Sequence, residues 1–206
     1  VKAVRGHMAE IELVATLGRG KVEDISAVIK DGEDESIPAL AKAALKPLVG
    51  QLRASEDATA ALDAEIKAWH KDNAASQRLA TIPGIGILTA SAIAATVPDP
   101  SFFRSGREFS AWLGLVPRQN STGGKDRLGR ISKQGNPYIR RLLVIGATSM
   151  LRYARAKTAP GADWVNGLLE RRPPRLVTVA MANKTARIAW AMLRHDTDYD
   201  PKLAAA

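Results

Sequence analysis

The chain has 206 residues, 46% of them hydrophobic, with no cysteine and a formal net charge of +9. Without cysteine there are no disulfides and no thiolate metal sites, and no apolar run approaches the ~20 residues of a membrane helix. The lack of cysteine fits a reducing cytoplasm, where the protein is expected, and no signal peptide opens the chain.

The charge is uneven. Residues 1–80 hold 11 Lys/Arg and 13 Asp/Glu, whereas residues 101–160 hold 12 Lys/Arg and 2 Asp/Glu. A polyanion, DNA or RNA above all, is therefore expected to meet the middle of the chain.

In chain order, residues 1–35 carry short helical patterns broken by Gly18 and Gly20 and end in the polar run Asp31-Gly32-Glu33-Asp34-Glu35. Ser36 can cap a new helix with Pro38 in its first turn, where a missing N–H costs nothing. From there an apolar seam runs through Leu45, Leu48, Leu52, Ser55, Thr59, Leu62, Ile66 and Trp69. Its alternating spacing of three and four residues puts these on one side of a long helix. Pro47 is expected to kink it. The seam is weak at Ser55 and Thr59. Two readings stand side by side: a helix packed within its own domain, and a coiled-coil-like arm that pairs two subunits.

Residues 76–97 predict a helix to about Ala80, a break at Ile82-Pro83-Gly84-Ile85-Gly86, and a second helix from near Ile87. This turn resembles a helix-hairpin-helix module. Its glycines allow positive φ and close backbone approach, and the free amides opening the second helix can hold a phosphate. Pro83, Gly84, Gly86 and Thr89 are the candidate contacts, which would read backbone and no bases. The plainer reading is an ordinary turn in a helical bundle.

Pro98 and Pro100 end that helix. Ser105-Gly106-Arg107-Glu108 reads as a capping box before a short helix whose Phe109 and Trp112 belong to the core. A basic loop follows, opening with the hydroxyls Ser121 and Thr122 and then Gly123 and Gly124. Lys125, Arg127, Arg130, Lys133, Arg140 and Arg141 come next, with Asp126 as the one acid among them. Guanidinium forks match phosphate oxygens in pairs, so this reads as a candidate nucleophile on a flexible backbone ringed by cations that suit phosphate. The alternative is a solvated basic loop. Asn136 caps, and Pro137 opens, a helix to about Ala156 with the apolar face Ile139, Leu142, Leu143, Ile145, Gly146, Met150 and Tyr153. Further helices are expected over 163–171 and 176–193, with a frayed tail from His195. No strand-like alternation of useful length is present. The three histidines, His7, His70 and His195, have no partner at i+4 and are read as ordinary residues; no metal site is expected.

The fold expected is all-α: residues 1–35 an N-terminal helical segment, 36–73 a long helical arm, and 74–206 a compact helical nucleic-acid-binding domain.

Several motifs together resemble one family. They are Ile82-Pro83-Gly84-Ile85-Gly86, Thr89-Ala90, Phe103-Arg104-Ser105-Gly106, Trp112-Leu113-Gly114-Leu115-Val116-Pro117, Ser121-Thr122-Gly123-Gly124-Lys125, Gly129-Arg130-Ile131-Ser132-Lys133, Gly135-Asn136 and Ile139-Arg140-Arg141-Leu142-Leu143. The family is the insertion-sequence transposases of the IS-one-ten type, also called DEDD transposases, in their IS-eleven-eleven branch. The match is dense over residues 79–150 and looser at Arg171-Arg172-Pro173-Pro174 and through Ala182-Asn183-Lys184 to Trp190. Val4-Arg5-Gly6-His7 is similar to the segment that follows the family's N-terminal catalytic domain.

The resemblance implies a chain corresponding to the C-terminal half of such a transposase. In that family an N-terminal nuclease-like domain binds Mg²⁺ through four acidic residues. The C-terminal domain supplies a serine nucleophile, the arm makes a homo-oligomer, and a guide RNA encoded by the element selects the DNA. The acidic domain is expected to be absent here, so this chain alone is expected not to cleave DNA. The family commonly places serine directly before the first glycine. Thr122 stands there, preceded by Ser121; Ser121 is the expected nucleophile and Thr122 stays open. Two rival readings are a non-catalytic nucleic-acid-binding module and a helical oligomerisation protein whose charge is incidental.

Overall fold

The computed structural model describes residues 6, 9, 38–120, 122, 124, 125, 127–155 and 162–201. These residues are mostly helical. In order they form α1 (Ala39–Lys71), α2 (Ala74–Leu79), α3 (Ile87–Thr96), a 3-10 turn (Pro100–Phe102), α4 (Gly106–Trp112), β1 (Pro117–Gln119), β2 (Leu128–Ile131), α5 (Pro137–Arg155), α6 (Ala162–Leu169) and α7 (Pro174–His195). The chain divides into two compact units, Val1–Glu65 and Ile66–Ala206. Apart from Gly6 and Ala9, the expected helices of residues 1–35 and the Ser36 cap lie outside the described residues.

In the first unit, α1 buries Leu45 and Val49, leaves Leu48 and Leu52 half-buried, and holds Pro47 within the helix. The middle of the predicted seam is polar for a local reason. Ser55 and Thr59 donate their hydroxyls back to the carbonyls of Gln51 and Ser55, at 2.9 and 2.7 Å, a bond open to any hydroxyl at i and carbonyl at i−4. Beyond them Leu62 points outward, 58% exposed.

The second unit is built on α7, which packs against α5, α4, α2 and α6. Pro174 opens α7 where its missing N–H is harmless. Ala182, Ala186 and Ala189 are fully buried, and their short side chains let neighbouring helices approach closely. Val177, Met181 and Met192 fill the wider gaps. Helix α5 meets this core with Ile139, Leu143, Ala147 and Leu151, a row at four-residue spacing on one face. The predicted apolar face of α5 is corrected here, because Ile145 and Tyr153 are exposed. Each sits two residues past a member of the row, about 200° round the helix.

Phe103, Phe109 and Trp112 form an aromatic cluster at centroid distances of 5.1 to 5.8 Å, with Phe103 edge-on to Phe109 and Phe109 stacked on Trp112. Phe109 is fully buried, but Trp112 is 36% exposed, so of the two aromatics expected in the core only Phe109 lies there. Ser105 caps α4 through the amide of Glu108, and the Glu108 carboxylate returns to accept from the Arg104 amide at 2.7 Å. His70 shares a hydrogen bond with the buried Ser76 hydroxyl at 2.7 Å.

Two expectations are corrected. The segment between α4 and α5 forms a two-stranded antiparallel sheet. Residues 196–199, past α7, are tied down: Arg78 makes an ion pair with the Asp196 carboxylate and donates to its carbonyl, and Tyr199 packs on the core. The Arg78 guanidinium holds the Asp196 carboxyl below its usual range. This tie therefore stands at neutral pH and is lost as pH falls through the depressed pKa; both groups face solvent, so its weight is small.

The turn between α2 and α3 lies directly on α5. A Cβ on Gly146 would stand 1.9 Å from the carbonyl oxygen of Gly84. Gly84 itself has φ +84°, and a Cβ there would stand 2.7 Å from the Met150 sulfur. Gly146→Ala is therefore expected to lower stability by about 1–3 kcal/mol through overpacking. Gly167→Ala in α6, where a Cβ meets nothing within 4 Å, is expected to raise it by about 0.5–1 kcal/mol. Thermal denaturation of both variants checks the pair; equal effects would contradict the contact.

Candidate nucleic-acid interface

The basic segment forms a hairpin. β1 and β2 pair antiparallel, with Pro117 opposite Ile131, Gln119 opposite Leu128, and an irregularity between them. The Ser132 amide donates to the Val116 carbonyl at 2.9 Å and the Asn120 amide to the Arg127 carbonyl at 2.8 Å. At the tip, Thr122 bridges to Lys125, whose amide donates to the Thr122 carbonyl at 3.2 Å. Residues 117–119, 127–130 and the described tip residues are all exposed.

The base of the hairpin is rigid because backbone meets backbone there. Gly114 and Gly135 have φ of +71° and +83°. A Cβ at Gly114 would stand 2.1 Å from the Gln134 carbonyl oxygen, and one at Gly135 would stand 1.6 Å from that of Trp112. Arg140 clamps the same place: its Nη1 donates to the carbonyls of Leu113 and Gln134 at 2.9 and 3.1 Å. The Lys133 amide donates to Gly114 at 3.1 Å, and Arg118 Nη2 to Ser132 at 3.1 Å. Asn136 caps α5 as predicted, its Oδ1 accepting from the amides of Tyr138 and Ile139 at 3.0 and 3.1 Å.

The predicted cations thus separate into two groups. Lys125, Arg127, Arg130, Lys133 and Arg141 are exposed along the hairpin and the first turn of α5. The Arg141 guanidinium lies 5.8 Å from the centroid of the Tyr138 ring. Arg140 is half-buried and bonded to the scaffold. Of the two candidate hydroxyls, Thr122 is exposed at the hairpin tip; Ser121 lies outside the described residues, as do Gly123 and Asp126.

The glycine turn separates in the same way. Pro83 and Gly84 are half-buried, with Gly84 against α5. Thr89 is only 6% exposed, so its side chain faces the interior. Gly86 is exposed, a Cβ there would meet nothing within 4 Å, and as the N-cap of α3 it makes no side-chain cap bond. The amides opening α3 therefore lack the side-chain acceptor that Asn136 provides on α5. Gly146, where this turn rests, is nine residues along α5 from Pro137, about 14 Å of helix.

A third cluster escaped the sequence reading. Arg107 of α4, Trp164 of α6, and Lys184 and Arg187 of α7 line one groove. They are up to 80 positions apart in the chain, and no local pattern joins Arg107 and Trp164 to Lys184 and Arg187. Among the described residues there is no group of three or more His, Asp or Glu that could hold a metal ion, and no helix is long and apolar enough to cross a membrane.

Chemically, the exposed hairpin can neutralise phosphates, which fixes position on a duplex without reading sequence. Comparisons with known proteins point to one family. The model of the transposase IS116/IS110/IS902 family matches residues 76–160. A probable family 20 transposase of Pseudomonas aeruginosa is 45% identical over 199 residues, covering 96% of this chain and 59% of that protein. A putative transposase of Sinorhizobium fredii, y4pF/y4sB, is 41% identical over 96% of this chain and 51% of its own length. The transposase for insertion sequence element IS1111A of Coxiella burnetii is 37% identical over 97% of this chain and 55% of its own length. The chain thus spans little more than half the length of these relatives.

The Arg130→Ala, Lys133→Ala double variant is expected to weaken binding to all duplex sequences alike. It should also reduce the log–log salt slope by about 2, one for each lost phosphate contact. Titrations at several salt concentrations check this, and an unchanged slope contradicts it. Arg140→Gln, in contrast, is expected to cost about 1–3 kcal/mol of stability by leaving two carbonyls without their charged donor, read as a lowered Tm.

Proposed function

The chain belongs to the IS116/IS110/IS902 family of transposases, and from that premise we propose that it binds element or target DNA through its cationic hairpin and supplies the hydroxyl that cuts and rejoins a strand. The observation that carries this reading is the exposed hairpin, which holds the Thr122 hydroxyl at its tip and the exposed cations Lys125, Arg127 and Arg130 leading into and along the strand that follows. Lys125, Arg127, Arg130, Lys133 and Arg141 hold phosphates and offset charge in the transition state. The amides opening α3 at Gly86 add a second backbone contact, the role proposed for a helix-hairpin-helix turn.

In the proposed step the Ser121 Oγ loses its proton and attacks a DNA phosphorus. A phosphoserine bond forms, the bond to the leaving deoxyribose oxygen breaks, and that oxygen takes up a proton. Attack by a DNA hydroxyl on the phosphoserine reverses the step, so one hard displacement becomes two easier ones. Thr122 is the alternative nucleophile, chemically able but crowded by its methyl group. Mg²⁺ is implied by the family resemblance at the four acidic residues of the nuclease-like domain. No carboxylate cluster among the described residues fits it, and no step here is assigned to it.

The same reading includes a homo-oligomer through α1, supported by the outward Leu62, and a guide RNA as a further partner. It places the reaction in the cytoplasm.

The chain by itself is expected not to nick DNA. In a transposase that carries this chain together with its acidic domain, Ser121→Ala is expected to abolish strand transfer, because alanine has no atom for the covalent link. DNA binding should remain within about twofold, since the phosphate contacts are unchanged. Thr122→Ala should retain activity. Trapping the protein–DNA adduct and mapping the modified peptide decides the residue: an adduct on Thr122 overturns the choice of Ser121.

A further inference from the structure

The groove around Trp164 is separate from the hairpin and from the glycine turn. Its volume is about 810 Å³, and its walls are the start of α4, one residue of α6 and one face of α7. Ala180, Lys184, Arg187 and Ala191 repeat along that face at intervals of four, three and four, as neighbours on a helix surface do. The two alanines leave the space, and the two cations border it. Arg107 faces them from α4, which is held close because Gly106 rests on the backbone of Arg187, where a Cβ would stand 3.1 Å from the carbonyl oxygen. Among the described residues no acidic side chain lines the groove.

Its chemistry is aromatic as well as cationic. Trp164 is 37% exposed, and the Lys184 ammonium lies 4.7 Å from the centroid of its ring. Such an approach holds the charge in place through the ring quadrupole. The half-buried Ile188 continues the apolar surface. Cations bordering an exposed indole suit a phosphate joined to a planar base. The volume lies within the range of small-ligand clefts. A duplex keeps its bases stacked inside and cannot offer one to a concave wall, whereas a single strand can.

We propose that this groove takes one unpaired nucleotide of a single-stranded nucleic acid, its phosphate toward Lys184, Arg187 and Arg107 and its base against Trp164 and Ile188. The site goes beyond the hairpin reading and shares no residue with it. The unpaired nucleotide could belong to a DNA strand opened during the reaction or to an RNA, and both present the same base and phosphate.

The test is fluorescence anisotropy at one fixed salt concentration, with labelled oligo-dT, oligo-U and a duplex as probes. Trp164→Ala is expected to weaken binding of at least one single-stranded probe by about tenfold, the lower-middle range for loss of one base–aromatic stack, and Lys184→Gln by at least threefold. Duplex binding should stay within twofold, and Trp164→Phe should recover much of the loss. Loss on oligo-U alone assigns the groove to RNA, and loss on oligo-dT alone to DNA. Equal losses on single strand and duplex, or single-strand binding unchanged in both Trp164→Ala and Lys184→Gln, overturn the proposal. If Trp164→Ala fails to fold by circular dichroism, Lys184→Gln and Arg187→Gln decide alone. A hairpin variant that leaves duplex binding intact would count against the hairpin and leave the groove standing.

Discussion

No Cβ fits at Gly114, Gly135 or Gly146, and the placing of the cationic surface depends on that fact. At each position a methyl group would meet a carbonyl oxygen of another segment at 2.1 Å or less. The first two contacts fix the base of the hairpin against the end of α4, and the third seats the glycine turn on the middle of α5. Helix α5 therefore carries both candidate phosphate contacts on one rigid body. Its N-terminus is sealed by Asn136 and by the proline at its first position, so its own amides are used within the scaffold. A flexible chain with the same charges would lose more entropy on binding, and preorganisation reduces that cost.

How much of this could be read from residues alone follows from the range of each signal. Caps are local: Ser105 and Asn136 act within three residues, and both were legible. Helix existence was legible from spacing and from proline. The strands were not. β1 and β2 have three and four residues and are almost wholly exposed, so no buried face imposes the alternation that marks a strand. Arg140 and Arg141 look alike in sequence, yet one turns inward to two carbonyls and the other outward over a tyrosine. Thr89 sits in a motif that suggests a ligand contact, yet the packing of α3 buries it. The tether from Arg78 to Asp196 spans 118 positions, and the groove at Trp164 joins three helices. Contacts of that kind belong to the tertiary fold and leave no periodic trace.

The charge distribution acquires a sharper meaning in this geometry. Twelve cations against two acids over residues 101–160 describe a basic stretch; the fold divides that stretch by task. Some guanidiniums hold the scaffold, as at Arg140 and Arg118, and others face solvent, where screening by salt governs their strength. The cations of the groove come partly from outside the basic stretch, at Lys184 and Arg187. Membership of a transposase family accords with so much positive charge on a helical unit, and in the reading proposed here the hairpin offers a hydroxyl to a phosphate.

The central claim is that duplex DNA meets this chain at the hairpin and at the opening of α3. Amide hydrogen exchange with and without a saturating duplex measures this directly, peptide by peptide. The account predicts slowed exchange over residues 117–131 and at residues 86–89 on adding DNA, with the peptides of α1 unchanged. Slowed exchange confined to other segments, with the hairpin amides exchanging as fast as in the free protein, would contradict it.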